Sequence, residues 1–167
     1  MAVFPMSSIS LQCGDCLELM NNISDKSVDC IVTDLPYQQT SRNKWDVIIP
    51  FEPLWEQYKR IAKDNAAIIL FANGMFTAEL MMSNKQMWRY NLIWEKTLPT
   101  GFLNAKIMPL RSHEDICIFY KKPPVYNPQK STGHVRKVSK AEHKVGCKNT
   151  TDYGEHGLTT YDSTERY

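Results

Sequence analysis

The residues with the plainest chemical content are Asp34, Leu35, Pro36 and Tyr37, which form one unbroken tetrapeptide. They offer a carboxylate, a peptide carbonyl, a ring that fixes the backbone and a flat phenol. That set suits a planar group bearing an exocyclic amine, with acceptors for the amine hydrogens and an aromatic face for the ring. The same residues also read as a strand end followed by a proline turn, with Tyr37 packed nearby. A second acid, Asp15, stands in Cys13-Gly14-Asp15-Cys16. At a strand-to-helix turn an aspartate can hold a ribose or a ring amine, or it can simply cap the helix that follows. Cys13 and Cys16 have the CxxC spacing of a redox pair or half a zinc site, but no second half-site follows and no paired histidines lie at ligand spacing. The count of five cysteines is odd, which argues against a complete disulfide framework. Free thiols and no metal are the expectation.

The elements that position these groups follow from local pattern. Ile9–Gln12 reads as a short strand and Cys16–Asn22 as a helix. The apolar run Val28–Thr33 reads as the buried strand that delivers Asp34 to its end. Gln38–Lys44 is polar and without periodicity, so it is expected to be mobile, and Trp45 interrupts it as either a guard over a pocket or an anchor. Pro53 opens a helix through Lys63 as a first-turn residue. Ala66–Ala72 is a continuous apolar run suited to a strand covered on both faces. Phe76–Met82 reads as a helix, and Trp88–Trp94 and Asp115–Tyr120 as strands. The alternation predicts an α/β fold with a mainly parallel sheet and helices on its faces. Glu95–Glu114 reads as a long irregular insertion holding Lys96, Lys106, Arg111 and His113, and such loops are often functional.

The chain has 167 residues, of which 43% are hydrophobic and 23% charged, enough for one domain with a real core. No apolar run approaches the ~20 residues of a membrane span, and the N-terminus lacks a signal-peptide pattern, so the cytosol is the expected compartment. The net charge of +2 hides an asymmetry. Residues 1–120 carry 11 Lys/Arg against 13 Asp/Glu, residues 121–148 carry eight against one, and residues 149–167 carry one against four. A basic segment on a near-neutral body suggests a polyanion partner, although a solvated tail has the same composition. Beyond Tyr120 the composition turns polar, so residues 121–167 are expected to be loop-rich or disordered.

Taken in order, these segments resemble the N-terminal part of a β-class DNA amino-methyltransferase, of the adenine-N6 or cytosine-N4 type. Gln12-Cys13-Gly14-Asp15-Cys16-Leu17 is similar to the family's opening strand-turn-helix, and Val28 to Tyr37 resembles the strand carrying its Asp-Pro-Pro-Tyr motif. Lys44-Trp45-Asp46, Asn91 to Lys96, Arg111 to Ile116, Tyr120 to Pro123 and Tyr126 to Gln129 resemble further family segments. The match covers roughly residues 9–130 and is specific as an ensemble. The resemblance implies a partial Rossmann-like methyltransferase sheet in residues 1–120, with helices on both faces and a recognition insertion near residues 95–114, followed by the basic segment. It implies S-adenosylmethionine as cofactor, with Asp15, Cys16 and Asp34 toward it, and double-stranded DNA as substrate. Asp34 and the Leu35 carbonyl would accept from the target amine, Pro36 would hold the loop, and Tyr37 would stack on the flipped base. Trp45, Lys96, Lys106, Arg111, His113, Lys130, Arg136 and Lys137 are the expected DNA contacts. The aspartate at the head of the motif leans toward adenine-N6.

Two departures stand out. Leu35 occupies a position where the family usually has proline, which keeps the carbonyl but loses the fixed φ. None of the seven glycines is spaced as in the family's Phe-x-Gly-x-Gly cofactor loop. The expectation is therefore a chain that stops before that loop: either an enzyme fragment, or an inactive truncated DNA-binding or interaction protein that needs a complementing second chain to methylate, with the open sheet edge favouring association such as a homodimer. An unrelated α/β domain with a basic tail is the remaining reading.

Overall fold

A computed structural model describes residues 8–40, 43–139 and 161–165. The chain divides into a unit Met1–Val125 and a unit Tyr126–Tyr167. In the first unit, helix α1 (Cys16–Met20) precedes strand β1 (Val28–Asp34), helix α2 (Phe51–Ile61), strand β2 (Ala62–Ala72), helix α3 (Met75–Ser83), strand β3 (Trp88–Thr100) and strand β4 (Arg111–Phe119). The sheet order is β1-β2-β4-β3.

The sheet is mixed, not mainly parallel. β1 pairs with β2 in parallel, while β4 pairs antiparallel with both β2 and β3. The physical reason lies between β3 and β4. Only residues 101–110 connect them, with one short 3-10 turn at Phe102–Asn104. A parallel return needs a crossover of a dozen or more residues, whereas an antiparallel neighbour does not. Most of the expected irregular insertion is thus strand: β3 runs on to Thr100 and β4 begins at Arg111.

Helices were expected on both faces; the described ones occupy one. β1, β2 and β3 share a direction and progress the same way across the sheet, so right-handed crossovers put α2 and α3 on the same side. Leu54, Trp55, Tyr58 and Ile61 form the buried stripe of α2. They join Phe76 and Leu80 of α3 and Met20 of α1 in one core with Ile68, Leu70, Ala72, Cys117 and Phe119. Trp55 Nε1 donates to Ser83 Oγ at 2.8 Å, locking α2 to α3. The opposite sheet face carries Val32, Phe71, Ile116, Tyr90, Leu92 and Trp94, as pairing register requires. Val32 is 62% exposed and Leu92 50%, so among the described residues no helix covers this face.

Other boundaries moved. Ile9–Gln12 takes no regular structure. α2 starts two residues before Pro53, whose missing N–H costs nothing within a first turn. β2 begins at Ala62, absorbing the residues expected to end the helix, because Ala62 already pairs with Val28. Gly74, the N-cap of α3, has φ 59° and ψ −131°, a conformation that favours glycine. In the second unit, β5 (Lys137–Ser139) and β6 (Tyr161–Ser163) pair antiparallel. Lys130 pairs with Glu165 at 3.0 Å. Lys140, Lys144 and Lys148 lie outside the described residues.

Candidate functional site

The C-terminal end of β1 delivers Asp34 beside Phe71 of β2. Leu35, 6% exposed, then turns its side chain into the core. Leu35 is thus a packing residue. Tyr37 is half-buried and its hydroxyl donates to Asp34 Oδ1 at 2.5 Å. Burial first, and the Asp34 carboxylate second, push the Tyr37 phenol well above the ordinary tyrosine range, so it stays a donor. Its ring stacks on Phe76 with centroids 5.0 Å apart and planes 30° apart. Asp34 Oδ2 takes no hydrogen bond from any described residue. The carboxylate is therefore oriented through one oxygen and open through the other.

The loop after Tyr37 is tied down. Gln38 has φ 56°. Buried Asp46 accepts from Gln38 N at 2.8 Å, Thr40 N at 2.6 Å and Thr40 Oγ1 at 2.6 Å. Those bonds, the Thr40 hydroxyl foremost, hold the Asp46 carboxyl below the usual carboxylate range. Within the stretch Gln38–Lys44, expected to be mobile, Gln38 and Thr40 are thereby tied to Asp46. Exposed Trp45 joins Asp34, Pro36 and Tyr37 around a cavity of about 350 Å³.

A second cavity, about 340 Å³, opens on the other side of Asp34 and is walled by Phe71, Trp94 and Ile116. Phe71 and Trp94 meet edge-on at 5.7 Å. Lys96 forms an ion pair with Glu114, both side chains mostly buried, and lies 5.9 Å from the Trp94 ring centroid. A third cavity, about 330 Å³, is lined by Arg111, His113 and the Asn73-Gly74 turn. Gln39 links it to the site: its side chain accepts from Arg111 at 3.2 Å and donates to the Asn73 carbonyl at 3.2 Å.

Of the expected site residues, Asp34, Leu35, Pro36, Tyr37, Trp45, Lys96, Arg111 and His113 thus lie toward one end of the sheet, the C-terminal end of β1 and β2. Lys106 sits exposed in the β3–β4 connection. Lys130, Arg136 and Lys137 belong to the second unit. Asp15 caps α1, accepting from Leu17 N at 2.8 Å, and burial followed by the Asp15 charge raises the Cys16 thiol. α1 is held instead to α2, where Arg60 donates to the Met20 and Ile23 carbonyls. No described residue of α1 bonds to Asp34. Cys13, Cys16, Cys30 and Cys117 are free thiols, and no cluster of three or more metal-ligating side chains occurs among the described residues. Phe76 and Gln39 are not singled out by the sequence, because their contacts with Tyr37, Asn73 and Arg111 lie 34 to 72 residues away; Asp46 and Glu114 fall within resembling segments but with no role given to them.

Two solved structures are similar to this chain in fold. One is a complex of M1.HpyAVI with SAM, at 17% identity and a TM-score of 0.53 over 73% of this chain. The other is the PvuII DNA methyltransferase, cytosine-N4-specific, at 12% identity and a TM-score of 0.51 over 71% of this chain. The chain has their α/β fold. It spans 62% of the length of the first and 50% of the second. No family model matches the sequence, and no curated protein does. No helix among the described residues is long and apolar enough to cross a membrane.

Proposed function

We propose that this chain carries the base-gripping part of a DNA amino-methyltransferase that uses S-adenosylmethionine, with the N6 amine of adenine as the favoured target. The observation that carries the reading is Asp34: a carboxylate at a strand end, fixed through Oδ1 by Tyr37 and open through Oδ2, between two cavities with aromatic walls. The fold shared with a DNA methyltransferase and a SAM-bound protein supports the same class.

An exocyclic ring amine is a poor nucleophile because its lone pair is delocalised. Asp34 Oδ2 and the Leu35 carbonyl accept its two hydrogens and favour a localised lone pair. Asp34 then holds the proton that the nitrogen sheds on methylation. Tyr37, backed by Phe76, offers a rigid aromatic plane for a base taken out of the duplex. Trp45, Arg111 and His113 rim the site where a DNA strand would lie, and Lys106, Lys130, Arg136 and Lys137 contribute phosphate contacts.

When bound, S-adenosylmethionine supplies a methyl group on a positively charged sulfonium. The residues fit that charged end: the Asp34 carboxylate and the faces of Phe71 and Trp94 attract a cation. Asp15 and Cys16 are the residues for its adenosine end, Asp15 with one carboxylate oxygen already capping α1. No glycine-x-glycine turn is available to cradle the remainder.

Incubation of the purified chain with labelled S-adenosylmethionine and duplex DNA, followed by digestion to nucleosides, tests this reading. Label in N6-methyladenine supports it; label in N4-methylcytosine retains the class and overturns the target. The face at Val32, Leu92 and Trp94, uncovered by any helix among the described residues, together with the outer edge of β1, which pairs with no strand among them, favours a second reading. In it the chain binds DNA and methylates only when another polypeptide segment packs on that face, so transfer appears only on adding a complementing chain.

A further inference from the structure

The connection between β3 and β4 projects from the same end of the sheet as Asp34. Strand pairing sets Asp34 level with Phe71, Ile116 and Leu92. β4 continues past that row from Ile116 to Arg111, which pairs with Thr100. At ~3.3 Å per residue the hairpin reaches about 17 Å beyond Asp34. Residues 101–110 close it. Asn104 N donates to the Gly101 carbonyl at 2.9 Å, Ala105 N to the Phe102 carbonyl at 3.1 Å, and Ile107 N and Met108 N to the Asn104 carbonyl at 2.8 and 3.0 Å. The tip is therefore held in shape by its own backbone.

Its side chains face water. Phe102 is 75% exposed, Leu103 83%, Ile107 85% and Met108 51%. Large apolar side chains clustered on one projection mark a contact surface. Residues 97–112 contain Lys106 and Arg111 and no Asp or Glu, so the partner that complements them combines apolar surface with negative charge. A convex ribbon of two chains is too narrow to supply the roughly 800 Å² per side of a stable protein pair. It does fit a DNA major groove, about 12 Å wide and 8.5 Å deep, which admits a two-stranded β-ribbon. A base held at Asp34 has left its stack, which puts the duplex beyond the strand ends, in the space that the hairpin enters.

We infer that the β3–β4 tip is a wedge that enters duplex DNA. Phe102 and Leu103 press into a base step while Lys106 meets a neighbouring phosphate. Apolar side chains inserted between bases partly unstack the step. A tip already ordered by its own hydrogen bonds loses little freedom on binding. The wedge rests on the DNA-methyltransferase reading, which supplies the partner, and adds to it a device that lowers the cost of taking a base out of the duplex.

Fluorescence anisotropy of the whole chain, with a matched duplex and with the same duplex carrying one abasic site, tests the wedge. The abasic step is already open, so the wild type binds that duplex about tenfold more tightly. Phe102→Ser with Leu103→Ser abolishes the preference at unchanged Tm, since neither side chain is buried. Lys106→Gln weakens both duplexes equally and lowers the salt slope by about one, as loss of a phosphate contact does. No preference in the wild type, the same preference in the serine variant, or no binding of either duplex overturns the wedge. A serine variant that loses self-association but keeps its DNA binding also overturns it and assigns the tip to contact between copies. Methyl incorporation measured on the same samples separates the two readings. Incorporation without an abasic preference sinks the wedge alone. A preference lost in the serine variant, with no incorporation even when a complementing chain is added, sinks the enzyme and leaves the wedge.

Discussion

Asp34 owes its orientation to two residues that lie far from it in sequence or carry no charge. Tyr37 fixes Oδ1 and Phe76 fixes Tyr37. Tyr37→Phe should leave stability within about 1 kcal/mol, the net worth of one hydrogen bond, while freeing the carboxylate to rotate. Phe76→Ala should cost about 3 kcal/mol in urea unfolding, as large-to-small changes at buried aromatics do. Asp46 makes a pH-dependent prediction. Its carboxyl is held below its ordinary value in the fold, so its contribution is present above about pH 4, the unfolded value, and fades as pH falls through the lowered one. Asp46→Asn should therefore lower Tm at pH 7, with the gap to wild type closing on acidification; a gap that widens in acid contradicts the role. The tetrapeptide was legible because an apolar run, an acid, a proline and an aromatic are adjacent. Its support from Phe76 was not, since nothing near Phe76 marks Tyr37 as its partner.

At the level of elements, α2, β2 and α3 could be read because their patterns are locally complete: a stripe at helical spacing, then an unbroken apolar run, then Asn73-Gly74. The hairpin of β3 and β4 could not. Glu95–Thr100 contains Lys96, Thr97 and Pro99 and lacks alternation, yet it extends a strand because β4 offers pairing positions from Arg111 onward. Local composition cannot report a partner some ten residues away across a connection. Lys96 and Glu114 pin this hairpin near the site. Lys96→Ala should strand a mostly buried Glu114 and cost about 2 kcal/mol. The double change Lys96→Met with Glu114→Leu should recover most of that in thermal unfolding. If the double variant is as unstable as the two single losses added together, the pair acts through something other than mutual compensation.

At the scale of the whole molecule, helices cover one face of the sheet among the described residues and not the other. The helices of two same-direction crossovers bury one face, while Val32, Tyr90, Leu92 and Trp94 remain partly or largely in water on the other. Strand–helix alternation implied a sheet but carried no information about which face each helix would take, which is decided by crossover handedness and strand order. An apolar face of this kind marks an interaction surface or an association liability. The chain should bind a hydrophobic dye and sediment above monomer mass, and Val32→Lys with Leu92→Lys should reduce both without lowering Tm. An unchanged dye signal would show that the face is covered in solution. The central claim, that Asp34 grips a DNA base amine, is tested most directly by methyl transfer from labelled S-adenosylmethionine to duplex DNA, comparing wild type with a folded Asp34→Ala variant in the presence of any complementing chain. The account predicts incorporation by wild type and loss to background in Asp34→Ala; equal incorporation by both would contradict it.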